Sequence, residues 1–152
     1  MLLRKRMRLS HYDYSRSAAY FVTICAATGC PTFGRIVDDV VHVSAFGDIV
    51  VKCWHDIPQH YAQVELDEFI LMPDHLHGIL IFGEAEAGHA RPLQSVVGSF
   101  KAAASKAAGR PLWQRGFWDR IIRTDAELNL IRDYIECNPA RHHASRPICV
   151  RR

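Results

Sequence analysis

Alternating apolar and β-branched residues predict the strands of this chain. Residues 20–25 (YFVTIC) form one such run. Residues 65–72 and the isoleucine-rich residues 79–82 form two more, and Pro73-Asp74 between them predicts a hairpin turn. Shorter extended segments are predicted at residues 34–43 and 112–123.

Apolar residues at helical spacing predict three helices. The first is capped by Ser44 and runs to about residue 61, and the second covers residues 93–108. The third follows the cap residue Thr124 and stops near Asn138, because a proline comes next and disfavours helical geometry in the residue before it. This order of elements predicts an α+β fold: a ferredoxin-like antiparallel sheet with helices packed mainly on one face.

Length and composition are those of one globular domain. The chain has 152 residues, of which 49% are hydrophobic and 23% charged, so residues 1–152 are interpreted as a single domain. No run approaches the roughly 18–20 apolar residues of a membrane span, and the first ten residues lack the apolar core of a signal peptide. We therefore expect a cytoplasmic protein with no membrane partner.

Basic residues are concentrated although the net charge is only +3. They are frequent in an N-terminal arm, residues 1–16, and in a short tail, residues 140–152. Between these termini, basic and aromatic side chains alternate in a pattern typical of nucleic-acid contacts. Solvated terminal charge is an equally good interpretation of the two ends. The interleaved residues are Trp113, Arg115, Phe117, Trp118, Arg120 and Arg123.

Two histidines precede the isoleucine-rich strand. His75 and His77 are two residues apart, and side chains alternate between faces along a strand, so both imidazoles should point the same way. Neighbours of this kind are close enough to share one metal ion. Two ligands are too few to specify a site, and most such pairs are solvated or hydrogen-bonded to carbonyl groups, so spacing alone favours that alternative.

The predicted C-terminal helix carries a second candidate pair. Tyr134 and Asn138 are four residues apart and project from nearly the same helical face. An amide oxygen is a ligand suited to Mg²⁺ or Mn²⁺, and a phenol is a possible nucleophile. Taken alone, a core-edge tyrosine and a helix-terminating asparagine are the more common explanation.

The two pairs together resemble the single-tyrosine transposases of the HUH superfamily, named for its motif of two histidines around a hydrophobic residue. The resemblance is greatest to the branch associated with repeated extragenic palindromes (REP) and to its insertion-sequence relatives, and it extends over nearly the whole chain. It rests on Arg8-Leu9, Tyr12-Asp13-Tyr14-Ser15, Ala19-Tyr20-Phe21-Val22-Thr23-Ile24, Met72-Pro73-Asp74-His75-Leu76-His77-Gly78, Val96-Val97-Gly98-Ser99-Phe100-Lys101, Trp113-Gln114-Arg115-Gly116-Phe117-Trp118, Ile121-Ile122-Arg123 and Tyr134-Ile135 followed by Asn138-Pro139.

The resemblance implies a function and a role for each residue. His75, His77 and Asn138 would bind Mg²⁺ or Mn²⁺, and Tyr134 would attack a phosphate of single-stranded or hairpin DNA. The product would be a 5′-phosphotyrosine linkage with a free 3′-hydroxyl, so the strand could be rejoined without ATP. A homodimer is implied, and a small-molecule substrate is not.

One position departs from the family pattern. Relatives usually have histidine where this chain has Arg120, and arginine can hold a phosphate but cannot carry protons at neutral pH. Lys101, Arg115 and Arg123 are further candidate phosphate contacts. The departure leaves open a catalytically inactive or domesticated nucleic-acid-binding protein of the same fold. A metal-dependent hydrolase that uses water is a third possibility.

Overall fold

A computed structural model describes residues 18–83 and 93–141. The predicted N-terminal arm, and all but the first residues of the basic tail, lie outside this range. The described elements are, in chain order, β1 (Ala18–Cys25), β2 (Gly34–Val37), β3 (Val40–Val43), α1 (Ala45–His55), α2 (Ile57–His60), β4 (Val64–Met72), β5 (His75–Phe82), α3 (Leu93–Ala108), β6 (Trp118–Ile122), α4 (Asp125–Glu136) and α5 (Asn138–Arg141).

Four of the strands form one antiparallel sheet. Their order is β4-β5-β1-β6, and each neighbouring pair is antiparallel. The predicted hairpin is present, because Pro73 and Asp74 join β4 to β5 with Met72 opposite His75. Strands β2 and β3 form a separate hairpin. The main-sheet strands with α1 and α3 follow a β-α-β-β-α-β path, so the predicted ferredoxin-like α+β fold is confirmed.

Each face of the main sheet has its own hydrophobic core. The larger core lies under α1 and α3, where Trp54 and Phe100 pack on the even-numbered side chains of β1 and β5, such as Val22 and Leu80. The smaller core lies under α4 on the opposite face. Two of the three long helices therefore share one face, and α4 covers the other. The smaller core contains Ala19, Ile79, Ile81, Ile122, Leu128, Ile131 and Ile135.

The first predicted helix is interrupted. Residues 44–61 divide into α1 and α2 at Asp56, whose backbone N–H bonds back to the carbonyl groups of Lys52 and Trp54. Pro58 explains the break, because its ring lacks the N–H that would bond to Trp54 and restricts the residue before it. Among the described helices, none is long and apolar enough to cross a membrane.

Gly78 fixes the position of β5 against the larger core. A Cβ added there would lie 2.4 Å from the Trp54 ring, which is far inside contact distance. The glycine therefore allows the indole to pack directly against the backbone. Because Gly78 follows His77, the core supports the histidine strand from behind.

Candidate active site

The two histidines lie side by side on the face covered by α4. His75 and His77 are 1% and 4% exposed, and their ring centroids are 4.6 Å apart. Both share this face with Ile79, as the strand period predicted. The register pairs Cys25 with His75 and Thr23 with His77 across β1 and β5.

Each imidazole is oriented by a hydrogen bond at Nδ1. The Nδ1 of His75 lies 2.7 Å from Oδ1 of Asp74, and the Nδ1 of His77 lies 2.8 Å from Oγ1 of Thr23. An ionised carboxylate only accepts, so His75 donates from Nδ1, and when neutral it carries its lone pair on Nε2. The same tautomer of His77 would donate to the Thr23 hydroxyl.

The two Nε2 atoms are buried, and within residues 18–83 and 93–141 neither has a hydrogen-bond partner. Leaving a buried polar atom unpaired costs about 1–3 kcal/mol. Burial lowers the pKa of His77 to about 3, with a further decrease from the neighbouring His75 and an opposing effect of Asp74. His77 is therefore neutral at physiological pH, which is the form that binds a metal ion.

The imidazole pair fits a divalent cation only with further ligands. Within the described residues, no group of three His, Cys, Asp or Glu side chains converges on one point. From this part of the chain, a third protein ligand would have to be of another kind, such as an amide oxygen. Asn138 is 6% exposed and begins α5, one helical turn after Tyr134. Two buried imidazole nitrogens together with an amide oxygen are a donor set compatible with Mn²⁺ or Mg²⁺.

Tyr134 lies next to the histidines. Its ring centroid is 5.5 Å from that of His77 and 6.2 Å from that of Phe21. Phe21 in turn stacks on His77 at 5.3 Å with an interplanar angle of 27°. Tyr134 as a whole is 37% exposed, so it borders both the buried imidazoles and solvent. The arrangement brings a possible nucleophile to the edge of a possible cation site.

An ion pair holds α4 in this position. Arg132 donates from Nε to Oδ1 of Asp67 at 2.7 Å and from Nη2 to Oδ2. The two side chains are only 11% and 13% exposed. Asp67 lies in an irregularity of β4, where the pairing with β5 shifts between Leu66 and Phe69. The bulge thus directs a carboxylate toward the helix that carries Tyr134.

Thr23, Asp74, Asp67 and Arg132 were absent from the candidate residues of the sequence. Asp74 had a signal, since it immediately precedes His75 in the motif. Thr23 lies in another of the matching blocks, but neither its contact with His77 nor the Asp67–Arg132 pair follows from the sequence, because these contacts depend on strand register and on which face α4 covers.

The candidate phosphate contacts divide into two groups. Arg120 and Arg123 flank the start of α4, where Nη2 of Arg120 lies 2.7 Å from Oε1 of Glu127. The other oxygen of Glu127 accepts the backbone N–H of Arg123, and Thr124 caps the helix by accepting from the Glu127 N–H. Both arginine side chains are exposed.

Lys101 has a different environment from the arginines. Its Nζ donates to the carbonyl groups of Gln114 and Gly116 at 2.8 and 2.7 Å, and burial lowers its pKa. Lys101 therefore ties α3 to the loop that presents the exposed Arg115 between those two carbonyls. Its observed contacts stabilise the loop, and a DNA contact of Lys101 stays a prediction.

Two curated proteins of Haemophilus influenzae (strain ATCC 51907 / DSM 11121 / KW20 / Rd) are similar in sequence, while no family model matches the chain. One is an uncharacterized protein, 34% identical over 158 residues, covering 90% of this chain and 88% of the relative. The other bears the name "Putative REP-associated tyrosine transposase" and is 25% identical over 147 residues, covering 88% of this chain and 78% of that protein.

Two solved structures share the fold. A REP-associated tyrosine transposase bound to a REP hairpin superposes with a TM-score of 0.67 at 19% identity, over 90% of this chain and 74% of that one. A "putative transposase" from Deinococcus radiodurans superposes with a TM-score of 0.50 at 20% identity, over 87% of this chain and 95% of that one.

Proposed function

We propose that the chain is a member of the REP-associated branch of the single-tyrosine transposases, as its similarity to a curated protein of that name and to a solved structure supports, and that it cleaves and rejoins single-stranded DNA. The observation that carries the proposal is the contact of Tyr134 with His77, at 5.5 Å between ring centroids. Next to this contact, two buried imidazole nitrogens have no hydrogen-bond partner among the described residues.

His75, His77 and Asn138 would hold Mn²⁺ or Mg²⁺. Such an ion neutralises charge that develops on a phosphate and makes its phosphorus easier to attack. The chain supplies the orientation, because Asp74 and Thr23 fix the Nδ1 atoms and leave both Nε2 atoms directed away from these partners. Two oriented imidazoles with buried Nε2 atoms support a cation site more strongly than the spacing of the histidines does.

Tyr134 would be the attacking group. Its phenol oxygen forms a bond to phosphorus as the bond between phosphorus and the 3′-oxygen breaks. The phenol loses its proton, and the departing oxygen gains one and becomes a free 3′-hydroxyl. The 5′-phosphate stays on the tyrosine as a diester, so attack by a 3′-hydroxyl on that linkage reverses the step without ATP.

The proposed substrate is DNA that contains a hairpin with an unpaired flank. A fold neighbour has been solved with a REP hairpin, which supports this choice. Exposed Arg115, Arg120 and Arg123 are suited to phosphate contacts. A homodimer stays a prediction, as does the choice between the two metal ions.

A denaturant-resistant adduct tests the proposal. The protein is incubated with stem–loop oligonucleotides labelled on the strand 3′ of the cleavage point, in the presence of Mn²⁺, and resolved on a denaturing gel. We expect a labelled protein band that Tyr134→Phe abolishes while binding is retained. Tyr20→Phe is the matched control, because this phenol lies on the opposite side of β1 and packs in the larger core.

Three other results would contradict the proposal. Cleavage without any adduct would indicate a hydrolase that uses water. Binding with neither cleavage nor adduct, across a panel of hairpins, would indicate the catalytically inactive nucleic-acid-binding protein that Arg120 in place of histidine allows. An adduct that persists in Tyr134→Phe would assign the nucleophile to another residue.

A further inference from the structure

The edge strand β6 extends the site face beyond the histidines. Its register pairs Trp118 with Thr23, and Thr23 pairs with His77, so these three residues form one row across the sheet. Neighbouring strands are about 4.8 Å apart, which puts the backbones of Trp118 and His77 about 10 Å apart on the same face. This separation is comparable to the reach of one nucleotide.

Trp118 differs from the other tryptophans of the chain. Trp54 is fully buried, and Trp113 packs against Phe33 and Phe100 at 5.2 and 5.5 Å. Trp118 is 51% exposed although it belongs to a strand of the main sheet. Exposed indole on a sheet edge adds little to the core, and its flat apolar face suits stacking on an unpaired base.

Arg120 places a positive charge beside this indole. It lies two residues along the same strand, so both side chains start from the same face, and its cross-strand partner is Phe21. Phe21 contacts both His77 and Tyr134. Arg120 is thus one strand away from the tyrosine contact. The guanidinium has five N–H donors, more than its contact with Glu127 uses.

We infer that Trp118 is the stacking platform for the unpaired base next to the scissile phosphate, and that Arg120 contacts a phosphate of the same nucleotide. The inference rests on the proposed function for the identity of the substrate. It adds which nucleotide is held, and by which two side chains. The geometry also assigns a role to arginine at the position where relatives usually have histidine.

The test couples a change in the protein to a change in the DNA. The probe is a fluorescein-labelled stem–loop with an oligo(dT) flank, in which one thymidine at a time is replaced by an abasic site. Binding is measured by anisotropy with Tyr134→Phe protein, so that no strand is cleaved. Trp118→Ala should weaken binding by about 5- to 100-fold. At one flank position, the abasic site should weaken binding to the protein that retains Trp118. It should cause little further loss of affinity in the Trp118→Ala variant.

Three controls separate stacking from misfolding and from charge. Trp118→Phe should recover part of the affinity, because a smaller ring still stacks. Ile121→Ala removes an exposed apolar side chain from the opposite face of the same strand and should bind like the parent. Arg120→Gln should lower the slope of log affinity against log salt by about one, without changing which position is coupled.

The outcomes separate this inference from the proposed function. The abasic site and Trp118→Ala are coupled at a flank position when their losses of affinity do not add. Coupling at one position, next to the cleavage point mapped from the adduct, supports the inference and the proposed function. If the parent forms an adduct but Trp118→Ala binds as tightly as the parent, or no flank position is coupled, the inference is overturned and the proposed function stands. Coupling without any adduct supports the platform and refutes the strand transfer. Failure of the parent to bind any probe overturns the inference.

Discussion

Loss of the carboxylate at Asp67 should destabilise the protein and misplace Tyr134. Asp67→Asn preserves the shape of the side chain but removes the negative charge that contacts the guanidinium of Arg132, whose side chain is only 11% exposed. Removing one member of a buried ion pair costs about 3–5 kcal/mol. Because Arg132 retains some solvent access, we expect about 3 kcal/mol, or a fall in Tm of about 6–12 °C for a domain of this size.

Urea and thermal unfolding measure the stability, and adduct yield measures the effect on the site. Because the pair joins β4 to the helix of the phenol, Asp67→Asn should reduce adduct yield more than DNA binding at temperatures well below its transition. Lys52→Gln is the matched control, since it breaks the exposed Lys52–Asp56 pair, whose side chains are 75% and 28% exposed. That change should leave the stability unchanged within error, because an exposed ion pair of this kind contributes little.

A double variant distinguishes charge from packing. Asp67→Asn combined with Arg132→Met removes the buried charge and should recover at least half of the lost stability. If Asp67→Asn is no more destabilising than Lys52→Gln, the bulge of β4 does not anchor α4. The account of how the helix is held would then be refuted.

Three further predictions concern the imidazoles and the loop. Thr23→Val should weaken Mn²⁺ binding by about 10- to 100-fold, as followed by electron paramagnetic resonance, and unchanged affinity would exclude Thr23 as the orienting partner of His77. In EDTA, the contribution of His77 to the unfolding free energy should be constant above about pH 6.5 and fall by up to about 1.4 kcal/mol per pH unit toward pH 3, because the unfolded imidazole (pKa 6.5) takes up a proton before the folded one (about 3). The difference between the parent and His77→Gln in urea-derived profiles measures this contribution, and parallel profiles would refute it. Lys101→Met should lower the free energy of unfolding, measured in urea, by about 1–3 kcal/mol, because two hydrogen bonds to carbonyl groups are lost. An unchanged free energy of unfolding would mean that Lys101 does not stabilise the loop around Arg115.

The sequence was sufficient where the signal was local. The period of two along β5 predicted that His75 and His77 share a face, and the structure confirms it. Thr124 was predicted as a helix cap, and its hydroxyl does accept from the Glu127 N–H. The hairpin turn at Pro73-Asp74 followed from the same kind of local evidence.

The sequence was insufficient where the outcome depended on distant contacts. Periodicity finds the apolar stripe of α4 but does not say which sheet face receives it, so the approach of Tyr134 to His77 came from the resemblance and not from spacing. The pairing of Thr23 with His77 requires the register of β1 against β5. The break at Asp56 interrupts a segment whose apolar spacing predicts one continuous helix, and Pro58 is the local residue that causes it.

Gly78 has a consequence for ion selectivity. With the Trp54 ring pressed against its backbone, β5 has no room to slide or twist on the core side. The nitrogens of His75 and His77 therefore start from fixed positions, and capturing an ion would need little rearrangement of the strand. The choice of ion at such a rigid site would depend on donor chemistry and on the abundance of each ion in the cell, because the strand cannot adjust to different ionic radii.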